Sequence, residues 1–421
     1  MKSIRLSIAA IFNLAVLFLL QWLPVSKIGA GISTDLLFSA LIVPQVIAAI
    51  FASNLLQVLI PVIVEEENSL TNGTFGGIAI IVAITFLTLY SILAYFTIEF
   101  THIIYPAYTP SDQQKISWLI QISLIGSFFT IMVATLSAAF YAEKKSLHIE
   151  LFGCISGLIS IAFMVVLFSK DNIDIAIWSI NLRWGLCFLL LFTFCSSKKI
   201  SSNCSSAIKK ILKRFKNLIF GSSIYKTDII VDRYFSAQSA TGDLTILHII
   251  QQGFAALSAL LNRVVLTPNS PLLAEHNKEK RNKEFQQLFV NILRKILFLN
   301  IICFTSLGLA YFINQLIPPI TIGGTLISHW LNVALLSSGI ILGGTFGGLF
   351  TVRYYSKGNT STPTKVGLFG FIMACLMKIF AFKLFGFTGL LIAISAHYLL
   401  TSSTFYFLYL NDKKSQSTNF Q

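Results

Sequence analysis

Residues 29–61 read GAGISTDLLFSALIVPQVIAAIFASNLLQVLIP, and this stretch decides the class of the protein. A turn of small residues leads to a lone carboxylate, Asp35, and then to an apolar run that contains Pro44 and ends at Pro61. A proline inside a membrane-spanning helix is tolerated where neighbouring helices, side chains or water satisfy the carbonyl that it frees. Interrupted helices of this kind line cavities in transporters. The stretch therefore predicts a cavity-lining helix of a polytopic membrane protein.

The composition agrees with a membrane protein. Of 421 residues, 55% are hydrophobic and 11% are charged, and the mean hydropathy is +0.76. Soluble globular chains carry roughly 25% charged residues. The net charge of +14 does not indicate a nucleic-acid-binding protein, because a soluble basic domain is far less apolar. The six cysteines form no CxxC pair and the six histidines have no ligand spacing, so we expect no metal, cofactor or disulfide framework.

Twelve apolar runs approach the roughly 20 residues that a helix needs to cross a bilayer. They predict an all-α polytopic protein in which the first run is a retained helix and not a cleaved signal peptide. The predicted spans are 6–23, 36–62, 75–97, 116–141, 149–168, 175–195, 218–237, 243–266, 285–313, 325–350, 364–385 and 387–410.

A serine- and lysine-rich stretch divides these spans six and six. We expect two six-helix lobes around a central cavity, at 1–197 and 218–411, with a basic cytoplasmic linker at 198–217 and a cytoplasmic tail at 412–421. With the N-terminus placed in the cytoplasm, most lysines and arginines fall in cytoplasmic loops. This positive-inside pattern predicts a bacterial inner-membrane protein with both termini in the cytoplasm, and it accounts for the basic composition. We expect a monomer.

Charged side chains inside the predicted spans are candidates for function, because charges in a bilayer usually face a cavity or a partner. Asp228 and Asp232 lie four residues apart and share a helix face. One interpretation is a Na⁺- or H⁺-coupling site. The other is a helix whose charges pair internally, since Lys226 and Arg233 lie on the same segment. The sequence leaves both interpretations open.

Three cations are candidates for binding an anionic headgroup. Arg183 lies in the middle of the sixth span, and a guanidinium binds phosphate oxygens bidentately. Alternatively, Arg183 is a structural partner for Asp228 or Asp232. Arg233 and Lys378 are further cavity candidates, although a lysine can also extend to the membrane interface. At the outer end of the second span, Asp35 is either a gate residue or a helix-start carboxylate favoured by the helix dipole.

The stretch from Gly29 to Pro61 also resembles the beginning of the MviN/MurJ family of lipid-linked oligosaccharide flippases, in the multidrug/oligosaccharidyl-lipid/polysaccharide exporter superfamily. Two further places are similar to that family. They are the turn Tyr354-Tyr355-Ser356-Lys357 followed by Thr362-Pro363-Thr364-Lys365, and the stretch from Gly242 to Pro271. The resemblance implies a two-lobe transporter for polyprenyl-diphosphate-linked saccharides.

The chain departs from the family pattern at the family's arginines. Ala48-Ala49 replace an arginine pair, Ser53 replaces the acid that follows it, and Gln252 takes the place of an arginine in the eighth helix. First-helix arginines are replaced by apolar residues around Leu14 and Leu20. The resemblance implies that such arginines hold the substrate pyrophosphate. The cationic role has therefore moved to Arg183, Arg233 or Lys378, or the substrate differs.

We expect a flippase that moves a lipid II-like, polyprenyl-diphosphate-linked glycan precursor by alternating access, with no covalent chemistry. Cavity candidates are Asp35, Arg183, Arg233, Gln252 and Lys378, and ion-coupling candidates are Asp228 and Asp232. The first alternative is a flippase for O-antigen or exopolysaccharide repeat units. A drug or cation antiporter of the same superfamily is the second alternative, and a membrane glycan polymerase or ligase is the third. Short, nearly uncharged outer loops argue against the last.

Overall fold

The computed structural model describes residues 2–65, 74–170, 172–195, 208–212, 214–215, 219, 223, 226–279, 281–322, 324–357, 359 and 361–418. The elements in these ranges are helical apart from one short hairpin. They are α1 (Lys2–Ile28), α2 (Ile32–Glu65), α3 (Thr74–Tyr95), α4 (Thr97–Ile104), α5 (Pro110–Ala142), α6 (Ser146–Leu167), α7 (Asp174–Phe194), α8 (Asp228–Ser236), α9 (Asp243–Leu261), a π-helical turn (Asn262–Leu266), α10 (Thr267–Lys278), α11 (Asn282–Leu316), β1 (Thr321–Ile322), β2 (Thr325–Leu326), α12 (Ile327–Leu336), α13 (Gly339–Ser356) and α14 (Ser361–Thr418).

Ten spans within the described ranges are long and apolar enough to cross a membrane, which confirms an all-α polytopic fold. The last of them combines two predicted spans. Gly386, with φ +58° and ψ −140°, interrupts α14 at the residue between the predicted helices 364–385 and 387–410. The predicted span 218–237 falls partly outside the described residues, and its described part contains α8. Helix α2 continues through Pro44 and ends beyond Pro61.

Two compact units make up the chain, Met1–Thr245 and Ile246–Gln421. In the first unit α2 packs along α5, α1 along α6, and α7 against both α5 and α6. Gly153 and Gly157 on α6 permit the close approach of α1. A Cβ atom at these positions would lie 2.8 Å from the Asn13 amide and 2.2 Å from Val16 Cγ1, respectively.

The second unit is built on α13 and α14, with α11 and α12 packed beside them. Its core contains stacked and tilted aromatic rings, including Phe289, Phe350, Phe405 and Tyr409. Gly339 and Gly343 bring α13 close to α14, because a Cβ there would lie 2.6 Å from the Ser395 backbone and 2.4 Å from Tyr398 Cβ.

The predicted lobe boundaries stay a prediction. Most of the linker at 198–217 lies outside the described residues, and the division between the two compact units falls within α9, after Thr245.

Candidate functional site

Asp35 joins the first turn of α2 to the first turn of α9. Its carboxylate is buried and accepts three hydrogen bonds: from the backbone N–H of Gly242 at 2.7 Å, from the backbone N–H of Thr245 at 3.0 Å, and from the Thr245 hydroxyl at 2.6 Å. The first N–H groups of a helix have no partner within the helix, and a carboxylate satisfies them well. Asp35 therefore caps a helix other than its own.

Local backbone geometry makes this cap possible. Gly242 has φ +97°, a conformation that residues with a Cβ rarely adopt, and a Cβ there would lie 3.0 Å from the Ala30 carbonyl oxygen. On the opposite side, the Thr34 hydroxyl accepts from the Gly31 N–H and donates to the Gly29 carbonyl, which orders the turn before α2. The small residues quoted at the beginning thus place Asp35 against the start of α9.

A second buried group lies beside this cap. Arg233 on α8 is fully buried, and its guanidinium donates to the Leu244 carbonyl at 3.4 Å. Tyr105, also fully buried, donates from its hydroxyl to the Ser39 carbonyl on α2 at 2.8 Å. Burial raises the pKa of the Tyr105 phenol, so the hydroxyl keeps its proton and remains a donor. The charges of Asp35 and Arg233 are thereby brought into one region of the first unit.

The two ion-coupling candidates are both buried on α8. Asp228 is 8% exposed and Asp232 is 3% exposed, in the same helix as Arg233. The nine-residue helix α8 thus carries two carboxylates and one guanidinium. This arrangement is compatible both with an ion-coupling site and with a helix whose charges pair internally.

Lys226 lies just before α8 and contacts the middle of α2. Its ammonium donates to the Ala49 carbonyl at 2.9 Å and to the Ser53 hydroxyl at 2.5 Å. Both acceptors are uncharged. The sequence placed Lys226 on a charged segment but gave no signal for its partner, because the contact joins residues 173 positions apart.

Arg183 belongs to a buried polar chain that joins three helices. Its Nη2 donates to Asn13 Oδ1 at 2.7 Å, and Asn13 Nδ2 donates to Glu150 Oε2 at 2.7 Å. The guanidinium also lies 4.8 Å from the Trp184 ring centroid. The hydrogen bond to Asn13 is a different contact from the partnership with Asp228 or Asp232 that the sequence left open. No sequence pattern marks Asn13 or Glu150 as candidates, although both fall within predicted spans.

The two remaining candidates belong to the second unit. Lys378 is fully buried in the first half of α14, and Gln252 is half-buried on α9. In the described part of the chain no group of three or more histidine, cysteine, aspartate or glutamate side chains is arranged to hold a metal ion.

Residues 25–421 match the family model described as lipid II flippase MurJ, which is nearly the whole chain. The chain belongs to the MurJ family. A probable lipid II flippase MurJ from Buchnera aphidicola subsp. Baizongia pistaciae (strain Bp) is 22% identical over 96% of this chain and 82% of that protein. The predicted family resemblance is confirmed. The prediction that the chain is a transporter and not an enzyme is confirmed with it.

Solved structures show the same fold at low identity. A lipid II flippase MurJ in an inward closed conformation superposes with a TM-score of 0.77 at 15% identity, over 96% of this chain and 87% of that one. The MATE transporter VcmN of Vibrio cholerae gives a TM-score of 0.70 at 11% identity, over 100% and 98% of the two chains. A MOP superfamily transporter from Pyrococcus furiosus gives 0.69 at 13%, over 98% and 95%. The predicted two-lobe, all-α fold is therefore confirmed.

Proposed function

We propose that this chain is a lipid II flippase, which moves the polyprenyl-diphosphate-linked peptidoglycan precursor from the inner to the outer face of the bacterial cytoplasmic membrane. The observation that carries this proposal is the family match across residues 25–421. Asp35 supports it, because this residue lies in the segment from Gly29 to Pro61 that resembles the beginning of the family.

Transport by alternating access requires contacts that hold one side of the protein closed and can be released. The cap formed by Asp35 on Gly242 and Thr245 suits this role, because three hydrogen bonds to one carboxylate hold the beginning of α2 on the beginning of α9. All three are made by a single side chain, so a movement of α2 breaks them together. We place this contact at the outer end of the transport path.

The driving force needs no covalent chemistry. A charge that crosses the membrane potential is worth about 2.3 kcal/mol per 100 mV, and lipid II carries a diphosphate. Asp228 and Asp232 are our candidates for a coupling site for Na⁺ or H⁺, since both carboxylates are buried on α8. A monomer with both termini in the cytoplasm is the arrangement that the distribution of basic residues favours.

The headgroup of the substrate is anionic, so the proposed contacts are mainly cations. Arg183 and Arg233 are the candidates in the first unit, and Lys378 and Gln252 are the candidates in the second. Arg183 has one N–H group on Asn13, while its Nε and Nη1 atoms have no hydrogen-bond partner among the described residues. The N–H groups on these atoms can still donate to a phosphate oxygen.

Reconstitution into vesicles that contain lipid II tests this function. A membrane-impermeant enzyme that cleaves the lipid II headgroup reports the fraction exposed on the outer surface. We expect vesicles with the protein to expose lipid II far faster than vesicles without it. Equal rates would contradict the proposal. Faster crossing of a lipid-linked O-antigen repeat unit, with lipid II unaffected, would instead identify the chain as a flippase for surface polysaccharides.

A further inference from the structure

Lys226 reaches α2 at a face that differs from the rest of that helix. Gln45, Ala49, Ser53 and Gln57 follow one another at intervals of four residues, so they lie along one side of the helix. Three of these side chains are polar and Ala49 leaves its carbonyl open to Lys226; we call the set the polar stripe. None of these four residues is fully buried. Most of the remaining α2 surface is apolar and buried. A polar stripe on a membrane-spanning helix indicates contact with a cavity or a polar ligand.

The ammonium group sits at the centre of the polar stripe. It donates to Ala49 O and Ser53 Oγ, and Ser53 Oγ itself donates to Ala49 O at 2.8 Å. An ammonium has three N–H donors, and these contacts use two of them. Both acceptors are neutral, so the contacts position the positive charge without neutralising it. Among the described residues the third donor has no partner, so it can donate to an anion.

Small side chains on α2 make the contact possible. Ala49 is exposed and Ala52 and Ser53 are half-exposed, so the lysine reaches the Ala49 carbonyl beside the Ser53 hydroxyl. These are the positions at which the chain departs from the family pattern, with Ala48-Ala49 in place of an arginine pair and Ser53 in place of an acid. Lys226 thus places a positive charge beside the stretch of α2 that lacks the family's arginines.

The position along α2 separates this charge from the cap. Ala49 lies 14 residues after Asp35, which corresponds to about 21 Å along the helix axis at the 1.5 Å rise of an α-helix. The Asp35 cap and Lys226 therefore act on opposite halves of the same membrane-spanning helix. With Asp35 at the outer end, Lys226 lies in the half of α2 nearer the cytoplasm, where a substrate made in the cytoplasm first enters.

We propose that Lys226 is a substrate-binding residue that contacts the diphosphate of the lipid-linked glycan on the cytoplasmic half of α2, in place of a cation carried by α2 itself. This inference rests on the proposed flippase function. The proposed ligand is a diphosphate attached to a lipid. The phosphate of an ordinary phospholipid headgroup could make the same contact, so the test must distinguish the two.

The test uses the purified full-length chain and measures dissociation constants for three probes: lipid II, phosphatidylglycerol and inorganic diphosphate. We expect Lys226→Gln to weaken lipid II binding by about tenfold or more, as for the loss of a charge-assisted hydrogen bond. Lys226→Arg should stay close to the unmodified protein, because a guanidinium also binds phosphate. In the double variant Lys226→Gln/Ala49→Arg, the cation returns to α2 and binding should recover.

Lys27→Gln is the matched control. Lys27 also donates to neutral carbonyls, those of Val165 at 2.7 Å and Phe168 at 3.5 Å, but it lies at the end of α1. Its replacement should leave lipid II binding unchanged. Thermal unfolding of each variant identifies a loss of folding, and in that case Lys226→Arg and the double variant decide the question.

Unchanged lipid II binding by folded Lys226→Gln would overturn the inference. An equal loss of phosphatidylglycerol and lipid II binding would also overturn it, since Lys226 would then hold ordinary headgroups. If the unmodified protein bound no lipid II, the proposed function itself would fail. The inorganic diphosphate probe would still show whether Lys226 binds phosphate.

Discussion

The carboxylate of Asp35 accepts a hydrogen bond of 2.7 Å from the backbone N–H of Gly242, which is 207 residues away in the sequence. The same carboxylate accepts from Thr245 in the first turn of α9, whose hydroxyl donates a hydrogen bond of 2.6 Å. A single aspartate near the beginning of α2 therefore organises the beginning of a helix that follows it by two hundred residues. A substitution at Asp35 or at the beginning of α9 should therefore weaken the same contact.

Replacement of Asp35 should impair both stability and transport. Asp35→Asn keeps the shape but removes the charge and turns one acceptor oxygen into a donor, so at least one N–H or O–H of α9 loses its partner. A buried donor left without a partner costs about 1–3 kcal/mol. We expect a lower thermal unfolding temperature and slower exposure of lipid II in the vesicle assay.

Asp112→Asn provides the control for Asp35→Asn. Asp112 also lies in the first turn of a helix and accepts from the Thr109 hydroxyl at 2.6 Å, but this contact is exposed. Its replacement should change the unfolding temperature little and leave transport intact. Equal effects of the two variants would show that the Asp35 cap has no special role.

The backbone conformation of Gly242 gives a second prediction. In Gly242→Ala, the new Cβ would meet the Ala30 carbonyl oxygen at 3.0 Å and force an alanine to hold φ +97°. Residues with a Cβ are strained in this region by roughly 1–2 kcal/mol. We expect destabilisation, measured by thermal unfolding, together with weakened transport, because the Gly242 N–H would move away from Asp35.

Gly324→Ala separates the effect of backbone strain from the effect of the contact with Ala30. Gly324 has φ +77°, but a Cβ there meets no atom within 4 Å. If strain alone acts, both alanine variants lose similar stability. A larger loss at Gly242 assigns the difference to the contact with Ala30.

Arg183, Asn13 and Glu150 provide a third prediction through a double-mutant cycle. Arg183 and Glu150 carry opposite charges that Asn13 bridges by hydrogen bonds. Removal of one of two buried opposite charges leaves the other uncompensated, whereas replacement of both by apolar residues is far less costly. We expect Arg183→Met and Glu150→Leu each to lower the unfolding temperature strongly, and the double variant to be more stable than either. Additive losses would mean that the two charges do not interact through Asn13.

The sequence predicted the parts of this protein that depend on local pattern. It predicted one apolar span across Pro44 and two separate spans on either side of Gly386. The role of Asp35 stays a prediction. The sequence did not predict the contacts of Lys226 or Glu150, because their partners are 173 and 137 positions away. A charge in a hydrophobic span indicates that a partner exists, but only the packing of helices determines which partner it is. The same reason explains why Gly242 gave no local signal for the close approach of Ala30.

Arg353 gives the last prediction, in the second unit. Its guanidinium is fully buried, donates to Asp412 at 3.2 Å, and lies 4.6 Å from the Tyr409 ring centroid and 5.4 Å from those of Phe289 and Tyr354. Because the Asp412 side chain is 40% exposed, solvent screens the ion pair, and Asp412→Asn should cost about 0.5 kcal/mol or less. Arg353→Ala removes the contacts with all three rings as well and leaves a cavity, so we expect a loss of about 2–4 kcal/mol. Thermal unfolding of the two variants measures the difference. Similar losses would show that the ion pair, and not the aromatic packing, holds the end of α13 against α14.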